Sequence, residues 1–263
     1  MSILVAPDSF KGTYTAAAVA ERICAGIEAA GVSAIPMPVA DGGEGTLECL
    51  RLPMHLSIVT ANCRNPWGSP MRGRYGLSSD GTAVAAIHAS GVVPEKMTVL
   101  ADVTTLFSDA AEVFAPQKGA DPATVERLAA RLVDQARRYP RDPRNVRGGG
   151  AAGGFAGGMW AVFGAQITPG ADFVLDHCAF DEALQRVSAV VVGEGRLDSQ
   201  TKAGKIISAI LRRARPLPVY AVVGSIGDYG GDDFAGVRSA SDALAMRHAG
   251  SEIASLMRLF AHQ

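Results

Sequence analysis

The sequence predicts an α/β protein built on a mostly parallel sheet, and two observations carry this prediction. Short apolar runs at 3–6, 34–40, 187–192 and 218–224 have the length and composition of buried strands. Polar loops and then segments with helical spacing follow the first three runs. Because strands and helices alternate in this way, we expect a parallel sheet covered by helices. With 263 residues, 48% of them hydrophobic, the chain is long enough to bury a large core.

The first unit is a strand, a loop and a helix at the N-terminal end. The run ILVA (3–6) stops at the polar loop PDSFKG (7–12), and Thr15 has the position of a helix cap. The apolar residues behind this cap recur at helical spacing and are Ala16, Val19, Ala20, Ile23 and Ile27. We therefore predict a strand at 3–6 and a helix that begins near Ala16.

Two further units have the same order. AIPMPVA (34–40) is followed by the loop DGGEG (41–45) and by a short helix from about Thr46. The run at 187–192 leads to a polar loop at 193–204, a helix at 205–214 and the strand PVYAVVG (218–224). Both patterns predict neighbouring strands of one parallel sheet.

The middle of the chain has a different pattern. From Leu56 to Val93, short extended stretches are separated by turn signals such as Asp80-Gly81, which is typical of a β-rich lobe. The segment 124–139 is then typical of one amphipathic helix. We expect residues 1–55 and 148–263 to form a Rossmann-like parallel-sheet domain, with 56–147 inserted as a smaller α/β lobe.

Composition narrows the class of partner. A net charge of -1 gives no general attraction to nucleic acid or to anionic membranes, so a small molecule is the expected partner. The cysteines have no C-x-x-C spacing and indicate reduced structural thiols rather than a zinc site. The first ten residues lack the basic region of a signal peptide, which favours a cytoplasmic location. The sequence does not indicate an oligomeric state.

The polar loops are where we expect chemistry. Loops at the carboxyl ends of parallel strands meet at one edge of the sheet, and PDSFKG, DGGEG and GEGRLDSQT all have that position. Neither common nucleotide motif is present. Ile206 follows the Gly204-Lys205 pair, where a Walker A motif has Ser or Thr, and Asp198 stands where G-x-G-x-x-G has its last glycine.

Each loop allows more than one interpretation. Asp41 and Glu44 in DGGEG offer the oxygen ligands that Mg²⁺ prefers, but the same residues suit a tight turn with a helix cap. Lys11 can neutralise a phosphoryl group or a substrate carboxylate, or can be an ordinary surface lysine. The glycines of 148–158 can form a backbone anion site or a closely packed helix start, and their spacing favours packing.

Of the three loops, GEGRLDSQT has the most side chains suited to binding an anion, accepting a proton or binding a metal. Arg196 presents a planar fork suited to a carboxylate or a phosphate, and Glu194 or Asp198 could accept a hydroxyl proton or bind a metal. The alternative is a local ion cluster of these three side chains that stabilises the loop.

Five motifs in the same order resemble the type 1 glycerate kinase family. They are ILVAPDSFKG (3–12), PVADGGEGT (38–46), FAPQKGAD (114–121), GGGAAGG (148–154) and VVVGEGRLDSQTKAGK (190–205). The resemblance implies an ATP- and Mg²⁺-dependent kinase of D-glycerate, with 2-phosphoglycerate as product and two α/β domains on either side of a cleft.

The chain departs from the family pattern in its centre. Family members are longer and contain a glycine-rich stretch like IGGSATNDGG, to which nothing between Gly91 and Met97 corresponds. The family's ADVTNP is ADVTTL here, with Thr105 at the asparagine, and Ala115 replaces a glycine in FAPQKGAD. We interpret the chain as shortened by an internal loss.

The resemblance also implies roles for individual residues. Lys11 and Arg196 would contact substrate carboxylate or phosphoryl oxygens, Asp41 and Glu44 would lie near Mg²⁺, and Asp198 would accept the proton, with Glu194 able to exchange roles with it. The expected substrate- and nucleotide-binding residues are Asp8, Ser9, Gly42, Gly43, Gln117, Lys118, Gly153, Gly154, Gln200 and Lys205.

Two other functions are compatible with the sequence. The missing segment and Thr105 favour a family member without turnover that binds a small ligand or a partner protein. A different sugar-acid enzyme on the same scaffold is the third hypothesis.

Overall fold

The structure is a computed structural model that describes residues 1–64, 69–85, 97–198, 206–228 and 232–260. The chain divides into two compact units, Met1–Ser90 with Val174–Gln263, and Gly91–Phe173. Within these described ranges, the strands are β1 (Ser2–Pro7), β2 (Ser33–Pro36), β3 (Ser57–Arg64), β4 (Pro70–Leu77), β5 (Ala83–Ala85), β6 (Thr98–Ala101), β7 (Gln166–Pro169), β8 (Ala189–Leu197), β9 (Val219–Ile226) and β10 (Gly236–Ser239).

The helices are α1 (Ala16–Ala29), α2 (Thr46–Arg51), α3 (Ala110–Phe114), α4 (Pro122–Ala136), α5 (Ala151–Phe163), α6 (Gly170–His177), α7 (Phe180–Leu184), α8 (Ile206–Arg213) and α9 (Ala243–Phe260), with a 3₁₀ turn at Pro116–Lys118. None of the helices in the described ranges combines the length and the apolar character that crossing a membrane requires.

The first unit is organised around a five-stranded parallel sheet in the order β10-β9-β8-β1-β2. The predicted α/β class with a mostly parallel sheet is confirmed. The sheet core contains the apolar runs of β1 and of the first half of β8, in which the residues from Ile3 to Val5 and from Ala189 to Val192 are fully buried. Such runs are typical of parallel strands covered on both faces.

Helix α1 begins as predicted and packs against α9. The Thr15 side chain accepts a hydrogen bond from the Ala18 N–H at 3.2 Å, which caps the first turn. The two helices cross closely because each has a glycine at the contact. A Cβ on Gly26 would overlap the carbonyl of Arg247, and one on Gly250 would overlap the carbonyl of Ile23. This contact covers one face of the sheet, where Ile23 and Ile253 are fully buried.

A small antiparallel sheet, in the order β3-β4-β5, belongs to the same unit. Extended stretches were expected between Leu56 and Val93, and these strands are found there. Gly76 on β4 lies against Leu56 and against Leu47 of α2, with the nearest side-chain atoms 2.7 and 2.8 Å from where a Cβ would stand. This packing joins the small sheet to the unit that contains β1.

The second unit contains the parallel pair β6-β7 with α3, α4 and α5. Phe107 is its largest fully buried side chain and meets Tyr139 edge to face at a centroid distance of 6.3 Å. Helix α4 begins two residues before the predicted segment because the Asp121 side chain accepts from the Thr124 N–H at 2.7 Å, with Pro122 in the first turn.

The two units have boundaries other than those predicted. We expected the divisions at 55/56 and 147/148, whereas they fall at 90/91 and 173/174. The small antiparallel sheet stays with the first unit through its contact with α2. Residues 148–169 stay with the second, since β7 pairs with β6 in the register Val99 to Ile167.

Candidate active site

Three strands bring polar residues to the carboxyl edge of the parallel sheet. Strand β1 lies between β2 and β8, in a register that pairs Pro7 with Gly193. The Val39 N–H donates to the Pro7 carbonyl at 3.0 Å, so the chain after β2 continues alongside β1. Asp8, Asp41 and Glu194 therefore follow neighbouring strands at the same edge, which is where parallel sheets bind ligands.

Strand β8 is longer than the sequence predicted. We expected a loop from residue 193, but the strand continues to Leu197, and Glu194 and Arg196 pair with Val223 and Ser225 of β9. The physical reason is that β9 itself runs on to Ile226 and supplies hydrogen-bonding partners to residues that lack an apolar pattern. Glu194 and Arg196, two residues apart, consequently face the same side of the sheet.

Packing requires a glycine at 193, since a Cβ there would stand 2.7 Å from Cβ of Pro7. Gly224 of β9 is similarly constrained by the carbonyl of Gly195, at 2.6 Å. A Cβ on Gly195 would make an ordinary contact with Cα of Phe10, at 3.4 Å. These glycines let the PDSFKG loop lie directly on β8 and β9, which fixes the position of Asp8 and Lys11 relative to Glu194.

Asp8 is the electrostatic centre of this edge. The pKa of its carboxyl is raised from 3.8 to about 7, first by burial and then by the negative charges of Asp41 and Glu194, while a hydrogen bond from the Ser9 N–H and the Lys11 charge oppose the shift. A carboxyl that titrates near neutral pH in such surroundings is typical of functional sites. From the sequence we expected Asp8 only to bind substrate or nucleotide, because its proximity to Asp41 and Glu194 depends on the strand order.

Ser9 and Lys11 belong to the same loop but differ in exposure. Ser9 is 7% exposed, its N–H donates to Asp8 Oδ1 at 2.6 Å, and its hydroxyl oxygen has no hydrogen-bond partner in the described part of the chain. Lys11 is exposed, and its charge acts on Asp8. Phe10 between them is buried and anchors the loop through a backbone bridge to Tyr14.

The DGGEG loop forms a tight turn into α2. Asp41 is 7% exposed, and its Oδ1 accepts a long hydrogen bond of 3.4 Å from the Gly43 N–H. Thr46 donates its hydroxyl to the Gly43 carbonyl at 2.8 Å, and Gly45 precedes the helix at a φ of 87°. Glu44 is exposed. The turn interpretation is therefore correct for the backbone, but no side chain caps α2, so the buried Asp41 carboxylate is not explained by capping.

Arg196 and Asp198 form an ion pair at the end of β8. Arg196 Nε lies 3.5 Å from Asp198 Oδ2, and the two side chains are 68% and 26% exposed. Exposed pairs of this kind contribute on the order of 0–1 kcal/mol, so the pair leaves the arginine available to a ligand anion. Glu194, in contrast, acts on the charge of Asp8.

Four of the remaining predicted residues lie in the second unit. Gln117 and Lys118 are exposed on the 3₁₀ turn, and Lys118 borders a depression of about 400 Å³ together with Asp121 and Thr124. Gly153 and Gly154 have left-handed backbone, with φ of 70° and 96°. A Cβ on Gly154 would meet the Phe107 ring at 2.9 Å, so packing explains Gly154, whereas the position at Gly153 is open. Gln200 and Lys205 lie outside the described residues.

The residues at the sheet edge are compatible with one divalent cation. Three carboxylates converge there against the single ammonium of Lys11 that acts on Asp8. Among the described residues, no group of three or more His, Cys, Asp or Glu side chains is arranged to enclose a metal ion. Mg²⁺ is commonly held by one or two carboxylates with waters and substrate phosphates, so this edge fits that cation rather than a closed metal cage.

Comparison with known proteins assigns the family. The model of the glycerate kinase family matches residues 3–93 and 86–247. The chain belongs to the glycerate kinase family. Membership in this family classes it as a kinase enzyme.

Named relatives match over most of their length. A glycerate kinase of Neisseria meningitidis serogroup B is 27% identical over 319 positions, which cover 86% of this chain and 86% of the relative. A glycerate 2-kinase of Escherichia coli K12 is 25% identical, covering 87% and 86%. A solved structure from Salmonella typhimurium LT2, of a protein assigned as glycerate kinase 2, superposes with a TM-score of 0.77 at 24% identity over the whole of both chains, which supports the fold.

This family member is internally shortened, as predicted. The Neisseria alignment has 319 positions against 263 residues here, so at least 56 of those positions have no counterpart in this chain. The two segments matched by the family model meet at 86–93, next to the predicted break between Gly91 and Met97.

Proposed function

We propose that this protein is a glycerate kinase that transfers the γ-phosphoryl group of ATP to a hydroxyl of D-glycerate or a similar small hydroxy acid. The observation that carries the proposal is the assembly of PDSFKG, DGGEG and GEGRLD at one sheet edge in a member of the glycerate kinase family. We propose 2-phosphoglycerate as the product and the cytoplasm, where ATP is available, as the location.

The proposed reaction needs two cationic contacts at this edge. Lys11 and Arg196 would neutralise the glycerate carboxylate and the oxygens of the transferring group, since phosphoryl transfer depends mainly on positioning and charge neutralisation. Both side chains are exposed and can meet a ligand. Arg196 offers a fork of N–H donors, whereas Lys11 offers a compact charge.

A carboxylate would accept the proton of the attacking hydroxyl. The hydroxyl oxygen forms a bond to the γ-phosphorus, the bond between that phosphorus and the β–γ bridging oxygen breaks, and ADP leaves with the electron pair. We propose Asp198 as the proton acceptor. Glu194, which lies on the other side of Arg196 in the sequence, is the alternative acceptor. Glu194 lies on the face of β8 that carries Arg196, and Asp198 lies 3.5 Å from the Arg196 side chain.

Mg²⁺ would be held at Asp41 together with a second carboxylate, for which the sequence suggests Glu44. When bound there, the cation would offset part of the negative charge that the nucleotide brings to the site. The buried Asp41 carboxylate and its weak hydrogen bond to Gly43 support this role.

A coupled assay of ADP release tests the proposal. The purified full chain, with ATP, Mg²⁺ and D-glycerate, should release ADP, and omission of Mg²⁺ or of D-glycerate should abolish the release. Phosphorus NMR of the product should show 2-phosphoglycerate rather than the 3-phospho isomer. Background ADP release under all conditions would contradict the proposal.

The internal shortening favours a second candidate function. The loss near residues 86–93 removes positions that the relatives retain, so the chain could bind the hydroxy acid without turning it over. Calorimetric binding of D-glycerate together with background ADP release would select this function over the kinase.

A further inference from the structure

The carboxyl end of β1 lies between two other strand ends, and this position brings acidic residues together. The Asp8 N–H donates to the Gly193 carbonyl at 2.9 Å, immediately before Glu194. On the other side, the Val39 N–H donates to Pro7, two residues before Asp41. These backbone hydrogen bonds place Asp8 between Glu194 and Asp41 at the sheet edge.

We infer that Asp8 and Asp41 are the protein ligands of a divalent cation at this edge, with the Ser9 hydroxyl beside them, and that Glu44 is not a ligand. The inference rests on the proposed function for the identity of the cation as Mg²⁺. Two carboxylates from two loops, completed by waters or phosphate oxygens, form the kind of open site in which Mg²⁺ is usually held.

The burial of the two carboxylates supports a cation at this position. Asp41 is 7% exposed and Asp8 is half-buried, and the backbone hydrogen bonds of Asp8 and Val39 bring both to the same sheet edge. Buried charged groups in proteins are paired or coordinate metals. A divalent cation between Asp8 and Asp41 would reduce the repulsion between them.

Ser9 gives an independent indication of a ligand. Its hydroxyl is buried without a hydrogen-bond partner in the described residues, and its own N–H bonds to the Asp8 carboxylate. Leaving a buried hydroxyl unsatisfied destabilises the fold, and such groups are rare in folded proteins. A metal-bound water can donate a hydrogen bond to a serine hydroxyl, and a cation at Asp8 would bring one to it.

Glu44 differs from Asp8 and Asp41 in its exposure. It is exposed, whereas Asp41 is buried and Asp8 is half-buried. The sequence pattern D-x-x-E made Glu44 a candidate because it is near Asp41 in the chain, but the fold brings Asp8 to Asp41 instead.

Binding of Mn²⁺ to the nucleotide-free full chain tests the inference. Electron paramagnetic resonance measures free Mn²⁺ directly, and Mg²⁺ should compete for the same site. Asp8→Asn and Asp41→Asn should each weaken Mn²⁺ binding by roughly tenfold or more, as loss of even an outer contact to a metal costs 10- to 100-fold. Ser9→Ala should weaken it by a smaller factor, and Glu48→Gln, which removes an exposed charge from α2, is the matched control.

Each result has one meaning. Loss of affinity in Asp8→Asn with normal affinity in Glu44→Gln supports the inference, and the reverse pattern overturns it, as does absence of Mn²⁺ binding by the wild-type protein at millimolar metal. Circular dichroism melts of the variants check that they are folded. If the wild-type protein binds Mn²⁺ through Asp8 but releases no ADP, the kinase proposal fails and this inference stands.

Discussion

Replacing Asp8 by Asn should stabilise the metal-free protein at alkaline pH, because it removes a carboxylate that the fold holds in unfavourable surroundings. Burial and the charges of Asp41 and Glu194 raise the Asp8 pKa from 3.8 to about 7. Since the folded state then holds the proton more tightly than the unfolded state, the stability contribution of Asp8 is fully present below pH 4. It is lost as the pH rises from about 4 to 7.

The size of the effect follows from the same shift. One pKa unit corresponds to about 1.4 kcal/mol, so the full shift would lower the free energy of unfolding by about 4 kcal/mol above pH 7. Asp8 is only half-buried, and solvent reduces its interactions with neighbouring charges. We therefore expect Asp8→Asn to be more stable than the wild-type protein by roughly 2 kcal/mol at pH 8, with the difference vanishing near pH 4.

Urea unfolding of both proteins in EDTA, followed by circular dichroism between pH 4 and pH 8, measures this difference. Glu21→Gln, which removes an exposed carboxylate of α1, is the control and should show no growth of stability with pH relative to the wild-type protein. The electrostatic argument would be refuted if the difference in the free energy of unfolding between Asp8→Asn and wild type did not change with pH. A variant that is less stable than wild type at pH 8 would refute it as well.

Three further predictions concern the β8 end and the α1–α9 contact. Arg196→Ala should lower the rate by on the order of 10²- to 10³-fold in the ADP-release assay while its melting temperature changes little, because the ion pair it breaks is exposed. Asp198→Asn should lower turnover by roughly 10²- to 10⁴-fold, and near-normal steady-state kinetics would exclude it as the proton acceptor. Gly250→Ala should destabilise the protein by about 1–3 kcal/mol or more in urea unfolding, since its Cβ would overlap the Ile23 carbonyl; the neighbouring Ser251→Ala should have a smaller effect.

Local signals were sufficient to predict the first strand and helix. The run at 3–6 is apolar at every position, and Thr15 caps a helix whose apolar residues are regularly spaced. Both signals act within a few residues of the chain, so no knowledge of the tertiary structure was needed to use them.

The extension of β8 and the second-unit boundaries could not be predicted in this way. Residues 193–197 alternate glycine with charged residues, and they are a strand because β9 hydrogen-bonds to them. β7 is likewise a four-residue strand whose partner, β6, lies far away in sequence. Pairing between distant segments decided both elements, and a single sequence does not state which segments pair.

The candidate site shows the same division between local and distant information. The sequence groups Asp41 and Glu44 as metal ligands because they lie three positions apart in one glycine-rich loop. The strand order β8-β1-β2 instead groups Asp41 with Asp8 and brings Glu194 to the other side of Asp8. The motifs therefore identify the acidic residues of the site, whereas the strand order of the sheet determines which of them lie next to each other.

The position of the internal loss bears on which function the chain has kept. The two segments that the family model matches overlap at 86–93. Asp8, Asp41 and Glu194 lie at the edge formed by the ends of β1, β2 and β8, whose hydrogen bonds to one another and to β9 join residues within 2–39 and 189–226. The shortening therefore leaves the acidic edge and its cationic neighbours in the sequence, and any contact it removed came from elsewhere in the relatives. A metal site that survives at Asp8 and Asp41 would be required by a kinase but would also persist in a binding protein. Mn²⁺ affinity and ADP release must consequently be measured on the same preparation, because only turnover separates these two functions.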